Sequence, residues 1–470
     1  MNICPSISAH STAALRRLLS GHSGRGIAEL RIDGMAYPRF DRLLEKPRPR
    51  VIVTNRRRSE GGKFDGSFRT QCEILKAALD AGAEYADIEF SWGKQALTGF
   101  LNAVPRTRVV LSSHNFRSTP SSLIPLYRNM RALRPGIIKI AVMADEPASN
   151  GPIFDVLRLA RRDRQPMIAL AMGEYGTPSR ILAGIFGGWL SYSTPAGAYA
   201  TAAGQVDHES MIRLYRAGRI DRQTRIFGLA GYPVSHSRGI YFHNRVFQRR
   251  HLNAVYINFP ASEPDSFLRV FGPLITGASV TMPLKESVLP LLGIVSDDAR
   301  EVSAVNTILR RAGRLLGENT DLPALTSLLG RGGRGGKSMI VAGTGAMART
   351  AVTAGLRNGF SVAVTGRNEL RGKNISKRYG VPFIPFRYRT RREYDVIVNA
   401  TPVGMEGVTE RRLFPPGYFA EGMLVVDAVY KKGTTRLIAE AALAGAGTID
   451  GNRIFEAQAK LQSNMFVEAI

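Results

Sequence analysis

A lysine inside an uninterrupted apolar run is the first residue in this chain that asks for a chemical use. Lys139 stands in GIIKIAVM (136–143), where loss of water penalises its ammonium form. That desolvation lowers the pKa and leaves an amine free to attack a carbonyl as a Schiff-base nucleophile. The bland alternative is a lysine whose head reaches solvent at the end of its strand. Other polar residues gather at the ends of neighbouring apolar runs. Glu29 and Arg31 lie in AELRID, Arg56 and Glu60 in TNRRRSEGG, and His114 closes RVVLSSH. An imidazole of pKa ~6.5 exchanges protons near neutrality. Singly, each residue reads as a structural histidine or a surface pair; their joint placement favours a site.

The second half holds two more clusters. SVTMPLKE (279–286) and GENTDLPAL (317–325) supply Lys285 and Asp321. Such a pair can move the proton that accompanies hydride transfer, although on composition alone it is more often a salt bridge. VAGTGAMAR (341–349) spells Gly343-x-Gly345-x-x-Ala348 between a strand-like and a helix-like run. In that context the glycines read as a dinucleotide site, with pyrophosphate at the helix N-terminus. The next strand, SVAVTGRN (361–368), lacks the Asp or Glu that NAD calls for and ends in Gly366, Arg367 and Asn368. Arginine suits a 2′-phosphate, so NADP(H) is expected.

These residues need a scaffold that brings strand ends together. ICPSI (3–7), AELRID (28–33), RVIVTN (50–55), YADIEF (85–90), RVVLSSH (108–114), IIKIAVM (137–143), PMIALAMG (166–173) and WLSYST (189–194) read as strands. Between them, stretches such as FRTQCEILKAALDAG repeat apolar residues at helical spacing and close on glycine. Eight such units in ~220 residues predict a closed (β/α)₈ TIM barrel rather than an open doubly wound sheet. The rhythm restarts at IFGLAGYPVSHS (226–237), which sets a boundary near 222. The Gly-rich basic stretch RGGRGGKS (331–338) then leads into MIVAG (339–343). The expected fold class is α/β, with a barrel over 1–222 and a second α/β region over 223–328. A Rossmann domain over 329–448 and a C-terminal helix over 449–470 complete the expectation.

Composition bounds the class. The chain has 470 residues, 44% of them hydrophobic and 22% charged, which excludes a disordered or fibrous protein. No apolar run reaches the ~18 residues of a membrane span. The start, MNICPSIS, has no basic region followed by an apolar one. Cys4 and Cys72 are too few for a disulfide framework or a cysteine metal site, so a cytoplasmic location and no metal are expected. The net charge of +26 invites a nucleic-acid reading. Its residues are spread along the whole chain, however, with 52 Arg against 12 Lys. The field serves small anionic substrates equally well; no nucleic-acid or membrane partner is expected.

In order and spacing, ELRID, EGG, SSHNF and IIKIA resemble the type I 3-dehydroquinate dehydratases, over roughly residues 3–220. The resemblance implies a (β/α)₈ barrel that converts 3-dehydroquinate to 3-dehydroshikimate through an imine on Lys139. It casts His114 as the proton-transfer group and Glu60 as the carboxylate that orients it. It makes Glu29, Arg31, Arg56, Arg180, Thr201 and Gln205 substrate-binding, with Arg180 on the substrate carboxylate. Thr201 stands where serine is common, and Ala203 where proline usually precedes Gly204.

The second half, 226–470, resembles shikimate dehydrogenase in SVTMPLKE, AVNT, GENTD, NATPVGM, DAVYKKG and DGNRIFEAQA. That resemblance makes Lys285 and Asp321 the catalytic pair, and Ser237, Thr281, Asn306, Tyr430 and Gln458 substrate-binding. Gly343, Gly345, Ala346, Ala348, Arg367, Asn399, Thr401 and Gly451 fall in its cofactor stretches. Two departures stand out: Gly239 replaces the second serine of the usual Ser-x-Ser, and Ser279 replaces an asparagine. Losing one hydroxyl to a charged group weakens binding by about 10- to 150-fold. The order of the halves implies a fused shikimate-pathway enzyme acting on small carboxylates. The alternatives are a dehydratase fused to a quinate/shikimate-type dehydrogenase, or a non-catalytic ligand-sensing or nucleic-acid-binding protein. The sequence leaves the oligomeric state open.

Overall fold

The structure is a computed structural model that describes residues 1–22, 26–195, 197, 201–330, 337–408 and 411–470. Most of the Gly-rich basic stretch, 331–336, lies outside the described residues. The chain divides into two compact units, Met1–Ile275 and Thr276–Ile470.

All eight strands read from the sequence at the start of the chain form. They are β1 (Asn2–Ser8), β2 (Ile27–Arg31), β3 (Arg50–Thr54), β4 (Tyr85–Glu89), β5 (Val109–Asn115), β6 (Ile137–Met143), β7 (Met167–Met172) and β8 (Leu190–Ser193). They make one parallel sheet in the order β7-β6-β5-β4-β3-β2-β1-β8. The Trp189 N–H donates to the Met167 carbonyl at 2.8 Å, which draws the two ends of the sheet together. Side chains alternate along each strand, and that alternation builds the interior in layers. Ile27, Ile52, Val110, Ile137 and Ile168 form an apolar floor. Two residues further along their strands stand Glu29, Thr54, Ser112 and Lys139, so a polar layer sits directly above.

The first unit continues past the barrel. Strand β9 (Arg225–Gly231) pairs in parallel with β10 (Ala254–Pro260) across the helix Gly239–Arg249. A following helix, Pro264–Phe271, rests on the barrel. Phe271 meets Phe154 edge-on, the Ala148 N–H donates to Ser266 Oγ at 3.1 Å, and Tyr175 stacks on Tyr232 with centroids 5.8 Å apart.

In the second unit, β11 (Ile275–Val280) runs antiparallel to β13 (Thr307–Arg311). That strand forms a hairpin with β14 (Arg314–Glu318), which β12 (Ile294–Val295) joins in parallel. A separate parallel sheet contains β15 (Ser338–Ala342), β16 (Ser361–Gly366), β17 (Phe383–Pro385), β18 (Val396–Asn399), β19 (Leu424–Asp427) and β20 (Gly447–Ile449). Its order, β17-β16-β15-β18-β19-β20, is that of a doubly wound dinucleotide-binding sheet. Alternation again divides its residues: Met339, Val341, Val364 and Val398 face one apolar core, and Ile340, Ala363, Ile397 and Val425 the other. Among the described residues no helix is long and apolar enough to cross a membrane.

Candidate active site

Lys139 is buried, with 5% exposure, and does not reach the barrel rim. Nor is it the isolated amine that its strand suggests. Its Nζ donates to Glu29 Oε1 at 3.3 Å and to Asp87 Oδ2 at 3.1 Å, so two carboxylates offset the desolvation of its charge. Burial disfavours ionised Glu29 and Asp87. For Glu29 the Lys139 and Arg31 charges outweigh it, and for Asp87 those of Arg56 and Lys139; both carboxyls are held below their usual range.

Asp87 extends the cluster. It forms an ion pair with Arg56 at 2.8 Å and accepts from Ser112 Oγ at 2.6 Å, while Arg56 reaches Glu89 at 3.0 Å. Asp87 and Glu89 were not singled out in the sequence reading. Two acids at i and i+2 inside YADIEF carry the same signal that exposed Glu29 and Arg31. On the other side, Glu29 accepts from Ser6 Oγ, and Ser6 accepts from Thr201 Oγ1 at 3.0 Å. Gln205 Oε1 then accepts from the Thr201 N–H and from Thr194 Oγ1. The lysine is thereby tied to the loop that follows β8. Gly204 in that loop has φ +70°, and a Cβ there would meet the Gly173 carbonyl oxygen at 2.1 Å, so only glycine fits.

His114 Nδ1 lies 2.9 Å from Glu60 Oε2, which also accepts the His114 backbone N–H at 3.1 Å. Burial, then the charges of Arg56, Lys139 and Arg31, push the His114 pKa well below its ordinary value. Burial pushes Glu60 up. The histidine is therefore neutral at neutral pH, held through Nδ1 with Nε2 free to take a proton. Arg31 is gripped by Asp33 through two hydrogen bonds, and the Lys63 N–H donates to that same carboxylate at 3.0 Å. Arg180 is different. It is buried; among the described residues its Nε has no partner and its Nη2 donates to the Ala203 carbonyl at 3.1 Å, and burial lowers its pKa to about 10. It stays charged at neutral pH with no carboxylate partner among the described residues. Such a cation is a receptor for an anion.

In the second unit, Lys285 Nζ donates to Asp321 Oδ2 at 2.7 Å. Asn306 sits beside them. Its Oδ1 accepts the Thr320 N–H at 2.8 Å and its Nδ2 donates to Thr320 Oγ1, which lies 3.4 Å from Gln458 Oε1. Thr281 opens the turn that carries Lys285, its carbonyl accepting the Leu284 N–H at 2.9 Å. Tyr430 stacks on Phe455 of the helix Gly451–Glu468 with centroids 5.5 Å apart. Gly451 permits that approach, since a Cβ there would meet the Val429 carbonyl oxygen at 2.3 Å. Ser279 donates to Gln462 Oε1 at 2.8 Å. Ser237 belongs to the first unit, where its Oγ accepts the Gly239 N–H at 3.2 Å.

The glycine fingerprint follows β15 directly. Gly343 has φ +134° and its Cβ would strike the Ala400 carbonyl at 2.7 Å, whereas Gly345 has open space where a Cβ would stand. The helix Ala346–Arg357 starts at once, with Ala348 packed in the core. Arg367 is exposed at the end of β16. A close backbone approach, an open helix N-terminus and an exposed arginine fit a dinucleotide that carries a 2′-phosphate. Asn399 and Thr401 are engaged with each other: Asn399 Oδ1 accepts from Thr401 N and Oγ1, and Asn399 Nδ2 donates to Asp427 at 2.8 Å. They shape the loop after β18.

The model for type I 3-dehydroquinase matches residues 3–222, and that for the shikimate dehydrogenase substrate binding domain matches 229–308. A bifunctional 3-dehydroquinate dehydratase/shikimate dehydrogenase, chloroplastic, of Arabidopsis thaliana is 30% identical over 471 residues, covering 94% of this chain and 78% of that protein. The shikimate biosynthesis protein AroDE of Chlamydia pneumoniae is 26% identical, covering 81% of this chain and 77% of its own. A shikimate dehydrogenase (NADP(+)) of Thermococcus kodakarensis is 34% identical over 49% of this chain and 86% of its own.

Proposed function

The chain belongs to the bifunctional 3-dehydroquinate dehydratase/shikimate dehydrogenase family, and from that premise we propose that it dehydrates 3-dehydroquinate in the barrel and reduces the 3-dehydroshikimate formed to shikimate with NADPH. The observation that carries the reading is a buried lysine between two carboxylates, in the same barrel as a neutral histidine held by a third.

The Lys139 ammonium and the substrate ketone become an iminium and one water. A C–N bond forms, and the two protons that leave nitrogen depart with the carbonyl oxygen, relayed by His114. His114 then takes the proton alpha to the iminium, and the electron pair of that C–H bond flows toward nitrogen to give an enamine. Return of this proton to the beta hydroxyl breaks the C–O bond and releases a second water. Hydrolysis consumes one water and restores Lys139, so the net change is loss of one water. Glu60 keeps the imidazole oriented. Arg180 grips the substrate carboxylate, and Glu29, Arg31, Arg56, Thr201 and Gln205 frame the substrate.

For the second reaction, NADPH when bound supplies the hydride. Gly343, Gly345 and Ala346 would cradle the pyrophosphate side, with Ala348 packing the helix against the core behind them, and Arg367 would take the 2′-phosphate; Asn399, Thr401 and Gly451 would shape the surrounding loops. Lys285 donates a proton to the carbonyl oxygen while Asp321 holds the ammonium in place. Ser237, Thr281, Asn306, Tyr430 and Gln458 hold the substrate. The functional divisions are 1–222, 223–328, 329–448 and 449–470. The first packing unit extends beyond 222 because the helix after β10 lies against the barrel. Cytoplasmic placement, small carboxylates as substrates, and no nucleic-acid or membrane partner complete the proposal.

The test is NADPH consumption by the purified chain given 3-dehydroquinate alone. Consumption requires both steps. Enone accumulation without consumption rejects the shikimate reading of the second half, and silence in both channels rejects the whole.

Gly239 supports a second reading, a dehydrogenase of shifted preference toward quinate. A Cβ at this position would lie 3.3 Å from Ser237 Oγ and 3.3 Å from Tyr256 Oη, so a serine enters with a small adjustment. On this reading Gly239→Ser raises kcat/KM for shikimate relative to quinate by about 10-fold or more. An unchanged ratio in a steady-state comparison of the two substrates rejects it.

A further inference from the structure

Tyr192 lies on the barrel floor beneath Lys139. Strand β8 holds it in register with Cys4 on β1, and only 4% of its surface is exposed. Lys139 Nζ stands 4.3 Å from the centre of its ring. Its hydroxyl is buried with no hydrogen-bond partner among the described residues. The ring is therefore the part of this side chain that meets the reacting nitrogen.

We propose that Tyr192 is a positioning residue for the dehydration, acting through Lys139 by presenting its ring face to a nitrogen that is cationic first as ammonium and then as iminium. The inference rests on the reading of Lys139 as the imine-forming residue. Glu29 and Asp87 take two of the three ammonium N–H groups, and the ring lies against the same nitrogen. An aromatic face attracts a cation and has little hold on a neutral amine or imine, and the attraction is strongest where water is excluded. The ring therefore favours the protonated iminium over the neutral imine. Only the protonated form is a strong electron sink, so the preference lowers the barrier to alpha-proton removal. The unpartnered hydroxyl separates ring from phenol: phenylalanine keeps the face and loses no hydrogen bond.

The experiment uses the full chain with 3-dehydroquinate and borohydride, which fixes the iminium as a stable adduct on Lys139 detectable by mass. Wild type must trap; absence of trapping overturns the imine reading itself and this inference with it. Given trapping, Tyr192→Leu is expected to lower kcat of dehydration by about 10- to 30-fold. The high-pH decline of the trapped fraction is expected to move down by roughly one pH unit, because an iminium without the ring loses its proton more easily. Tyr192→Phe is expected within about 3-fold of wild type with its midpoint unmoved. Tyr192→Met is a second ring-less variant should the leucine chain fail to fold, with thermal melting as the check. An unmoved midpoint in a folded ring-less variant overturns the proposal, whatever its kcat, since filling space alone leaves the midpoint where it was. A phenylalanine variant as impaired as leucine also overturns it.

Discussion

Lys139→Ala is expected to abolish dehydration, lowering kcat by more than about 10⁴-fold, because a covalent route has no substitute once its nucleophile is gone. Reduction of added 3-dehydroshikimate by the same protein should continue at the wild-type rate, which makes the second activity an internal control. The alanine variant also leaves Glu29 and Asp87 buried without their shared cation. Breaking a buried pair in this way costs about 3–5 kcal/mol, and a lower melting temperature should accompany the lost activity. Lys139→Arg separates the two effects: it keeps a positive charge between the carboxylates but cannot form the imine. It should be inactive in dehydration yet melt closer to wild type. Dehydration above about 1% of the wild-type rate in either variant sinks the imine reading. A pH profile adds an independent check. Burial and three neighbouring cations hold the His114 pKa well below its ordinary value. The base therefore remains unprotonated as pH falls through ~6.5, and the limb that reports it should appear only at lower pH. A limb at the ordinary histidine value contradicts the role given to His114.

Lys285→Met is expected to reduce the rate of 3-dehydroshikimate reduction by about 10²- to 10⁴-fold, the usual contribution of one positioned proton-transfer group. NADPH affinity should stay within about 3-fold, since the proposal gives the cofactor to the glycine loop and helix N-terminus rather than to this pair. Dehydration should be untouched. Asp321→Asn should fall less far, since it keeps a polar partner 2.7 Å from the ammonium but loses the charge. The double variant should be little worse than Lys285→Met alone, because residues that act as one unit do not add. Single-turnover rates with saturating NADPH measure all three. Full additivity would show that the two residues do not work as a pair.

Alternation along a strand is a local property, and it explains how much could be read in advance. Lys139, Glu29, Arg31 and His114 each break an apolar run at a position that faces the barrel interior, so their candidacy was legible from their own segments. Glu60 and Arg56 stand in a loop directly after β3, and the glycines at 343 and 345 follow a strand and open a helix. The eight barrel strands were legible for the same reason.

Partnership was not. Asp87 and Glu89 lie in a strand read only as a strand, yet they hold Lys139 and Arg56. The expected free amine of Lys139 proved to be an ion-paired one. Nothing near position 192 in the sequence indicates that a tyrosine ring lies under a lysine 53 residues away. Asp33 on Arg31, Ser6 between Glu29 and Thr201, and Gln462 on Ser279 are contacts of the same kind. The amino-acid sequence by itself determined which residues are chemically capable, which strands and helices carry them, and in what order the two activities run. Only the tertiary structure decided which charges neutralise which, which histidine nitrogen is held, and that Arg180 is buried with no carboxylate partner among the described residues. Those outcomes depend on distances of a few ångströms and on the exclusion of water. Both arise when strands far apart in sequence close around one cavity.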